Sequence, residues 1–506
     1  MTTAPLEVEE LAFQESRGRL EAVITFLKGS KAAALSAAEL EWALQDEGRE
    51  LVRCLLQGQL VLRAQAEERL AEVTDADGVA RSRAEGGHVR SLATIFGEVE
   101  VSRIAYRSPG LPNLHPADAG LNLPEERHSH GLRRLAAIEA SRGSFDDAVE
   151  AIASATGQKL GKRQVEDLAR SAATDVEAFY ATRKATTGEP SEPGDLVVVS
   201  ADGKGIVMRP GALRPATATA AATARKKLST RLSRGEKANR KRMAELGVVY
   251  DATPVARTPA DILADKAEQP HGVTPGPVAK GKWLTASVVE DAATVLSEVF
   301  DEAERRDPAH ERTWVGLVDG NRHQIAVMNA QAKKRGVELN IIVDFIHVME
   351  YLWKATWSFF REGDPAAEAW VHTMALGVLK GKATVVAGII RRKATRAGLE
   401  ADKRKGADAC ATYLSNHARH LDYPKALKEG WPIATGVIEG ACRHLVKDRM
   451  DITGARWGLV GAEAVLKLRA LRSNGDFDEY FKFHLSRERT RIHESRFAGG
   501  VIPRAA

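Results

Sequence analysis

The sequence predicts an α/β fold: a mixed sheet with flanking helices, carrying a basic arm and an all-helical insertion, and preceded by a mostly α-helical N-terminal region. Three apolar segments predict the sheet. Val197-Val198-Val199-Ser200-Ala201 runs into Asp202, Trp314-Val315-Gly316-Leu317-Val318 into Asp319, and Leu339-Asn340-Ile341-Ile342-Val343 into Asp344. Short apolar runs of this kind, bounded by turn signals, are the pattern of buried strands. A carboxylate at the end of a core strand is costly unless something cationic sits beside it. Three such ends predict a sheet edge with clustered negative charge, the oxygen-rich surrounding that hard divalent ions such as magnesium seek. Gly203 and Gly205 predict a sharp bend just behind Asp202.

The 506 residues suffice for several domains and a large core. A hydrophobic fraction of 44% and a charged fraction of 28% are those of a globular chain. The net charge of +5 is modest, but basic residues cluster locally. Cys54, Cys410 and Cys442 lie far apart and form no CxxC pair, which argues against a disulfide framework or zinc knuckle and suits a reducing compartment. The acidic N-terminal segment lacks a signal-peptide core, and no run approaches the roughly 20 apolar residues of a membrane span. A cytoplasmic protein with no membrane partner is expected.

Taken in order, residues 1–85 read as a helical region. Leu44, Leu51, Leu55 and Leu62 fall on one helix face, which suits either packing within its own domain or pairing with another subunit. Residues 86–183 read as a β-hairpin followed by a DNA-binding unit. The hairpin is expected to bend at Gly97-Glu98. Residues 108–130 read as loop, with His115, His128 and His130 as ordinary surface histidines. Ser144 is a candidate N-cap, Gly157 ends its helix, and Lys162, Arg163 and Gln164 open the next one after a short turn. That is a helix-turn-helix layout. The Pro/Gly-rich stretch 184–194 reads as a linker. Residues 195–475 then carry the sheet, with a basic insert at 209–244 and a helical insert at 350–430, and 476–506 read as a C-terminal tail. Arg225, Lys226, Lys227, Arg231, Arg234, Arg240, Lys241 and Arg242 give the basic insert the character of a phosphate-binding arm. Gly247–Asp251 and Trp283–Val289 are expected as further strands.

Glu439, Arg443 and Lys447 recur at i, i+4 and i+8 of an expected helix, so an acid and two bases share a face. Taken alone this spacing also suits a surface ion-pair ladder. Two strand-end aspartates followed by a helical glutamate, with Asp319 − Asp202 = 117 and Glu439 − Asp319 = 120 residues apart, is the order of an RNase H-like nucleotidyltransferase core interrupted by inserts.

The segments ADGKG (201–205), VDGNRHQ (318–324), VDFIHVMEYLW (343–353) and TGVIEGACRHLVKDRMDITGARW (435–457) resemble the bacterial insertion-sequence DDE transposases of the ISKra type, from about residue 91 to 473. The resemblance implies that Asp202, Asp319 and Glu439 are the catalytic and metal-binding acids. It implies two magnesium ions, for which manganese can substitute, with Asp202 bridging them and Asp319 and Glu439 each completing one. Asp344 and His347 are similar to an acidic-x-x-His element that lies near the site in related transposases. Many such enzymes place Lys or Arg six or seven residues after the glutamate. Here Val446 stands at seven and Lys447 at eight, so Arg443, His444 and Lys447 remain candidates for that role. Arg456 and Trp457 are candidate DNA contacts, with Trp457 stacked on a base or packed in the core. The implied partners are double-stranded DNA, as element ends and target, and further copies of the chain in a homodimer or larger assembly. An RNase H-like nuclease or resolvase without joining activity, or a non-catalytic DNA-binding protein, would share these acids.

Overall fold

The computed structural model describes residues 10–184, 196–223, 240–264, 273–452 and 454–504, with Ser233 and Glu236. Residues 185–194 of the expected linker, and Arg225, Lys226, Lys227, Arg231 and Arg234 of the basic arm, lie outside them. The chain divides into two units, Tyr180–Asp476 and Met1–Phe179 with Phe477–Ala506. No helix of the described residues is long and apolar enough to cross a membrane.

The Tyr180–Asp476 unit is a mixed α/β structure around a five-stranded sheet. Its strands are β1 (Leu196–Val207), β2 (Lys241–Ala252), β3 (Ala279–Ser287), β4 (Thr313–Val318) and β5 (Leu339–Val343), in the spatial order β3-β2-β1-β4-β5. The first three pair antiparallel, while β1, β4 and β5 run parallel. Val197, Val198, Val199, Val315, Leu317 and Val343 are all buried, as strands covered on both faces require. The Ala292–Arg306 helix packs on β2, where Gly247 leaves room for Val299; a Cβ there would come within 2.2 Å of the valine methyl.

Two sequence expectations need correction here. β1 does not bend at Gly203 and Gly205. It continues to Val207, with Gly203 opposite Glu245 and Gly205 opposite Met243. The glycines serve close packing instead: a Cβ on Gly205 would meet the Lys241 side chain at 2.8 Å, and one on Gly203 would meet Met243 Cε at 3.0 Å. For the same reason β2 starts at Lys241, so Lys241 and Arg242 belong to the sheet and not to the arm. Arg242 donates from Nε to the Val288 carbonyl at 2.7 Å. Before it, residues 210–212 and Pro215–Thr223 are helical.

Between β5 and the Glu439 segment stand four longer helices, Phe345–Thr356, Pro365–Leu379, Ala383–Arg396 and Ala401–His417, and the short Tyr423–Lys428 helix. This is the expected helical insertion. Gly406 brings two of them together, since a Cβ there would lie 2.2 Å from the Lys354 carbonyl oxygen.

In the other unit, the Gln14–Lys28 and Ala37–Gln65 helices pack together, the second opened by a capping box between Ser36 and Glu39. Cys54, Gly58 and Leu60 form the buried side of the longer helix, and Gly58 lets the ring of Phe13 approach. The leucine face lies elsewhere: Leu44 is 40% and Leu55 44% exposed. Strands Arg83–Thr94 and Gly97–Arg107 form the hairpin. It turns at Ile95-Phe96, two residues before the expected bend, because the Thr94 hydroxyl donates to the Gly97 carbonyl and accepts the Phe96 N–H, and Gly97 takes a φ of +141°. His115, His128 and His130 are not surface groups. His128 is buried, and His115 and His130 hold the carbonyls of Ile104 and Asn122.

Helices His130–Arg142, Phe145–Thr156 and Lys162–Ala172 follow. Ser144 and Asp147 close a capping box, and Gly157 ends that helix with a φ of +71°. Gln164 accepts the Gly161 N–H at 2.8 Å, and Lys162 pairs with exposed Asp146 at 2.5 Å, while Arg163 is exposed. Residues 476–506 are not a loose tail. They include the helix Phe477–Ile492, which packs within this unit through buried Phe477, Tyr480, Phe481 and His484.

Candidate active site

The parallel register brings Asp202, within β1, and Asp319 and Asp344, directly after β4 and β5, to one end of the parallel part of the sheet. β1 leaves β4 after the Ser200–Leu317 pair, two residues before Asp202, and Asp319 and Asp344 each follow the Val318–Val343 pair directly. Glu439 arrives from the helix Gly436–Ala441, which packs on β1 and β2.

Each acid is held differently. Asp202 is half-buried; Oδ1 accepts the Gly203 N–H at 2.7 Å, and Oδ2 accepts the Cys442 thiol, with Sγ at 3.2 Å. Burial, and next the Asp202 charge, push that thiol far above its ordinary pKa, so it stays a donor. Asp319 Oδ1 accepts the Asn321 N–H at 2.8 Å, in a tight turn where Gly320 has a φ of +96°. The helical insertion fixes this turn. The Tyr413 hydroxyl donates to the Asp319 carbonyl at 2.7 Å, and His417 Nε2 lies 2.8 Å from the Gly320 carbonyl. The insertion also holds the end of β5, through Tyr423 Oη donating to the Val343 carbonyl at 2.8 Å.

Asp344 is fully buried and caps the Phe345–Thr356 helix, accepting the Ile346 N–H at 3.0 Å. His347 Nδ1 stands 2.7 Å from Oδ2, and the Thr435 hydroxyl 2.9 Å from the same oxygen. Burial alone would raise this carboxyl, but it is outweighed, first by the His347 bond and next by the Ile346 N–H, and the group is held below the usual range. The Asp344 bond raises His347 to about 9 against the opposing effect of burial, and the Asp319 charge adds to it. An imidazolium therefore stands between the acids at neutral pH. Asp344, His347 and Glu439 place ligand atoms within 4.8 Å of one another; Asp202 and Asp319 stand outside that set.

The surface ion-pair ladder that the spacing of Glu439, Arg443 and Lys447 also suits is not formed among the described residues. The chain widens into π-helical winding over Cys442–Lys447, a feature often found at functional sites. Glu439 Oε1 takes the Thr435 hydroxyl at 2.9 Å, while Arg443 Nε lies 3.8 Å from Asp448. Arg469 donates to the carbonyls of His444 and Leu445, and His444 Nε2 lies 3.1 Å from the Ser473 hydroxyl. Arg443 and Lys447 are left exposed. Trp457 is not a stacking platform. At 6% exposure it packs under Arg449, 4.8 Å from ring centre to Cζ, and its Nε1 donates to the Met450 carbonyl at 2.9 Å. Its backbone bonds Val207 and Arg209, closing the chain onto the end of β1. Arg456 is exposed, and neighbouring Thr453 lies outside the described residues.

Three residues of this site carry no sequence signal of their own: Thr435, Cys442 and Glu245. Glu245 sits on β2 opposite Gly203, raised by burial and further by the Asp202 charge, directly after the stretch that reads as basic arm. Among the described residues, no Lys or Arg comes within ion-pair distance of Asp202, Asp319 or Glu439. Asp202, Asp319 and Glu439 offer the oxygen donors that hard divalent cations take, but of the three only Glu439 belongs to a described set whose ligand atoms converge within 4.8 Å.

A scan against protein-family models gives no match for this chain, and a search of curated proteins gives none either.

Proposed function

We propose that the chain is a DDE transposase with an RNase H-like core, acting on the ends of an insertion sequence. The observation that carries the reading is the strand order β3-β2-β1-β4-β5, antiparallel then parallel, with Asp202 on the central strand, Asp319 at the end of its neighbour and Glu439 on a helix packed on β1 and β2. Magnesium bound by Asp202, Asp319 and Glu439 would activate the attacking oxygen and neutralise charge at the phosphorus; manganese could replace it. The acids would hold that cation facing the scissile phosphate, for in-line attack first by water at the element end and then by the freed 3′-hydroxyl on target DNA. His347, positively charged and beside the acids, would hold a phosphate oxygen. Arg443, Lys447 and Arg456 supply exposed cations for DNA along the same unit, and Lys162 and Arg163 do so at the helix-turn-helix-like pair. Gln164 contributes by capping the helix that carries them.

The experiment is cleavage and joining of labelled element-end DNA with magnesium, wild type beside Glu439→Gln. Wild type is expected to cut and join and the variant to do neither. Cutting without joining would mark a nuclease or resolvase. Salt-sensitive DNA binding without chemistry in magnesium or manganese would mark a DNA-binding protein.

Joining two ends calls for at least two copies of the chain, and the exposed Leu44–Leu55 face offers a helix surface for that pairing. Leu44→Glu combined with Leu55→Glu is expected to convert dimer to monomer in sedimentation, leaving the melting temperature nearly unchanged because neither leucine is in the core. An unaltered dimer would place the interface elsewhere.

A further inference from the structure

We propose that Thr435 is a positioning residue for the cation site: its hydroxyl sets the Glu439 carboxylate, and Asp344 in turn sets Thr435. The proposal rests on the transposase reading only for the identity of the cation and the reaction it serves.

Glu439 is exposed on a short helix, so burial does not lock its side chain. Its one hydrogen bond among the described residues comes from the buried Thr435 hydroxyl, one helical turn before it, at 2.9 Å. The same hydroxyl lies 2.9 Å from Asp344 Oδ2. A threonine hydroxyl has one proton, so it can serve only one of these two carboxylates.

The other donors decide which. Asp344 already has His347 Nδ1 at 2.7 Å and the Ile346 N–H at 3.0 Å, with longer contacts from the His347 and Thr435 N–H groups at 3.3 Å. Glu439 has no second side-chain donor among the described residues. The hydroxyl proton is therefore worth most on Glu439 Oε1. The cationic His347 ring, on the same oxygen of Asp344, offsets the lone-pair contact this leaves. Asp344 still holds Thr435 through its backbone N–H, and the Phe345 N–H donates to the Ile433 carbonyl at 2.8 Å, tying residues 433–435 to the end of β5.

A rigid buried acid thus locates a threonine, and the threonine orients an exposed glutamate with Oε2 left for a ligand. The order of the glutamate side chain is set before a cation arrives, so binding loses less conformational freedom. Asp344 acts here as the anchor of a ligand and is not itself one.

The test uses the full chain without DNA. Manganese binding is measured by calorimetry for wild type, Thr435→Val and Thr435→Ser, beside the magnesium dependence of end cleavage and thermal unfolding. Thr435→Val keeps the side-chain shape and removes the hydroxyl. It is expected to weaken manganese binding by about tenfold or more, the usual effect of losing a partner that orients a ligand. The magnesium needed for half-maximal cleavage should rise by a similar factor, and Thr435→Ser should restore both to near wild type. A purely structural role would lower the melting temperature and leave the metal affinity of the folded protein alone. Manganese binding by folded Thr435→Val equal to wild type overturns the proposal. Should that variant not fold, Thr435→Ala against Thr435→Ser makes the same comparison. Wild type that binds manganese but cuts no DNA overturns the transposase reading, and the Thr435 comparison still decides this proposal. Wild type that binds no manganese overturns both.

Discussion

Asp202→Asn should bind element-end DNA with the salt dependence of wild type and cut it slower by about a thousandfold or more. The size follows from what the change removes. Charge developing at the phosphorus is stabilised by groups organised in advance, and losing one such contact alone costs about 10²–10³-fold. Asp202 is also expected to organise the cation itself, so its loss exceeds that of a single donor. Folding should survive. The amide oxygen of asparagine still accepts the Gly203 N–H that Oδ1 holds at 2.7 Å, and the bond given up is a weak thiol contact at 3.2 Å. The residue is half-buried and in no ion pair among the described residues, so no charged partner is stranded by neutralising it. Single-turnover cleavage beside gel-shift titrations at several salt concentrations separates binding from chemistry. Cleavage at the wild-type rate would remove Asp202 from the reaction; loss of DNA binding would give it a structural part instead.

The legible parts of this chain are those where one residue type has one physical use. Strands buried on both faces need continuous apolar side chains, so β1, β4 and β5 stand out, with an acid directly behind each apolar run. Ser144, Asp147 and Gly157 mark a helix because few other residues can satisfy its ends. The expected α/β class with flanking helices agrees with the five-stranded mixed sheet. Glycine is the opposite case. Gly203 and Gly205 suit a bend or a tight strand crossing equally, and only the Met243 and Lys241 side chains of β2 decide between them. The supports of the site are hidden for another reason. Tyr413, His417 and Tyr423 reach backbone carbonyls 94, 97 and 80 residues away, and no local period signals such contacts. Thr435 carries no local signal for the same reason, since Asp344 lies 91 residues away. The sequence allows Trp457 a base or the core and favours the core, and its bonds to Met450, Val207 and Arg209 place it there.

Arg133→Leu should destabilise the unit that contains it by about 3–5 kcal/mol, the usual cost of removing one member of a buried ion pair. Arg133 is 3% exposed and donates to Glu488 Oε2 at 2.7 Å and to the Ser171 hydroxyl at 2.8 Å. Glu488 lies 3.6 Å from His484 Nε2, and His484 Nδ1 lies 2.7 Å from Asp175, which also takes Arg491 at 3.0 Å. Burial alone would raise Glu488, but the Arg133 bond outweighs it and holds the carboxyl low. Asp175 is likewise lowered, burial being outweighed by Arg491 and His484. His484 is lowered by burial, which exceeds the pull of both neighbouring acids. All three groups thus release protons more readily folded than unfolded, and each contributes stability at high pH that acid removes. His484 begins to lose its share as pH falls below its unfolded value of about 6.5, and the two carboxylates follow below about 4.3 and 3.9. Without Arg133, Glu488 loses the bond that holds it low, so its part of the acid loss should vanish while that of His484 remains. Hydrogen exchange of the 130–142 and 477–492 segments, followed from pH 8 to pH 5, reports this unit directly. Wild type should lose protection below about pH 6.5, and Arg133→Leu should begin lower at every pH. Equal protection in the two proteins would mean that the network carries no net stability, and that burying these charges costs as much as their pairing returns.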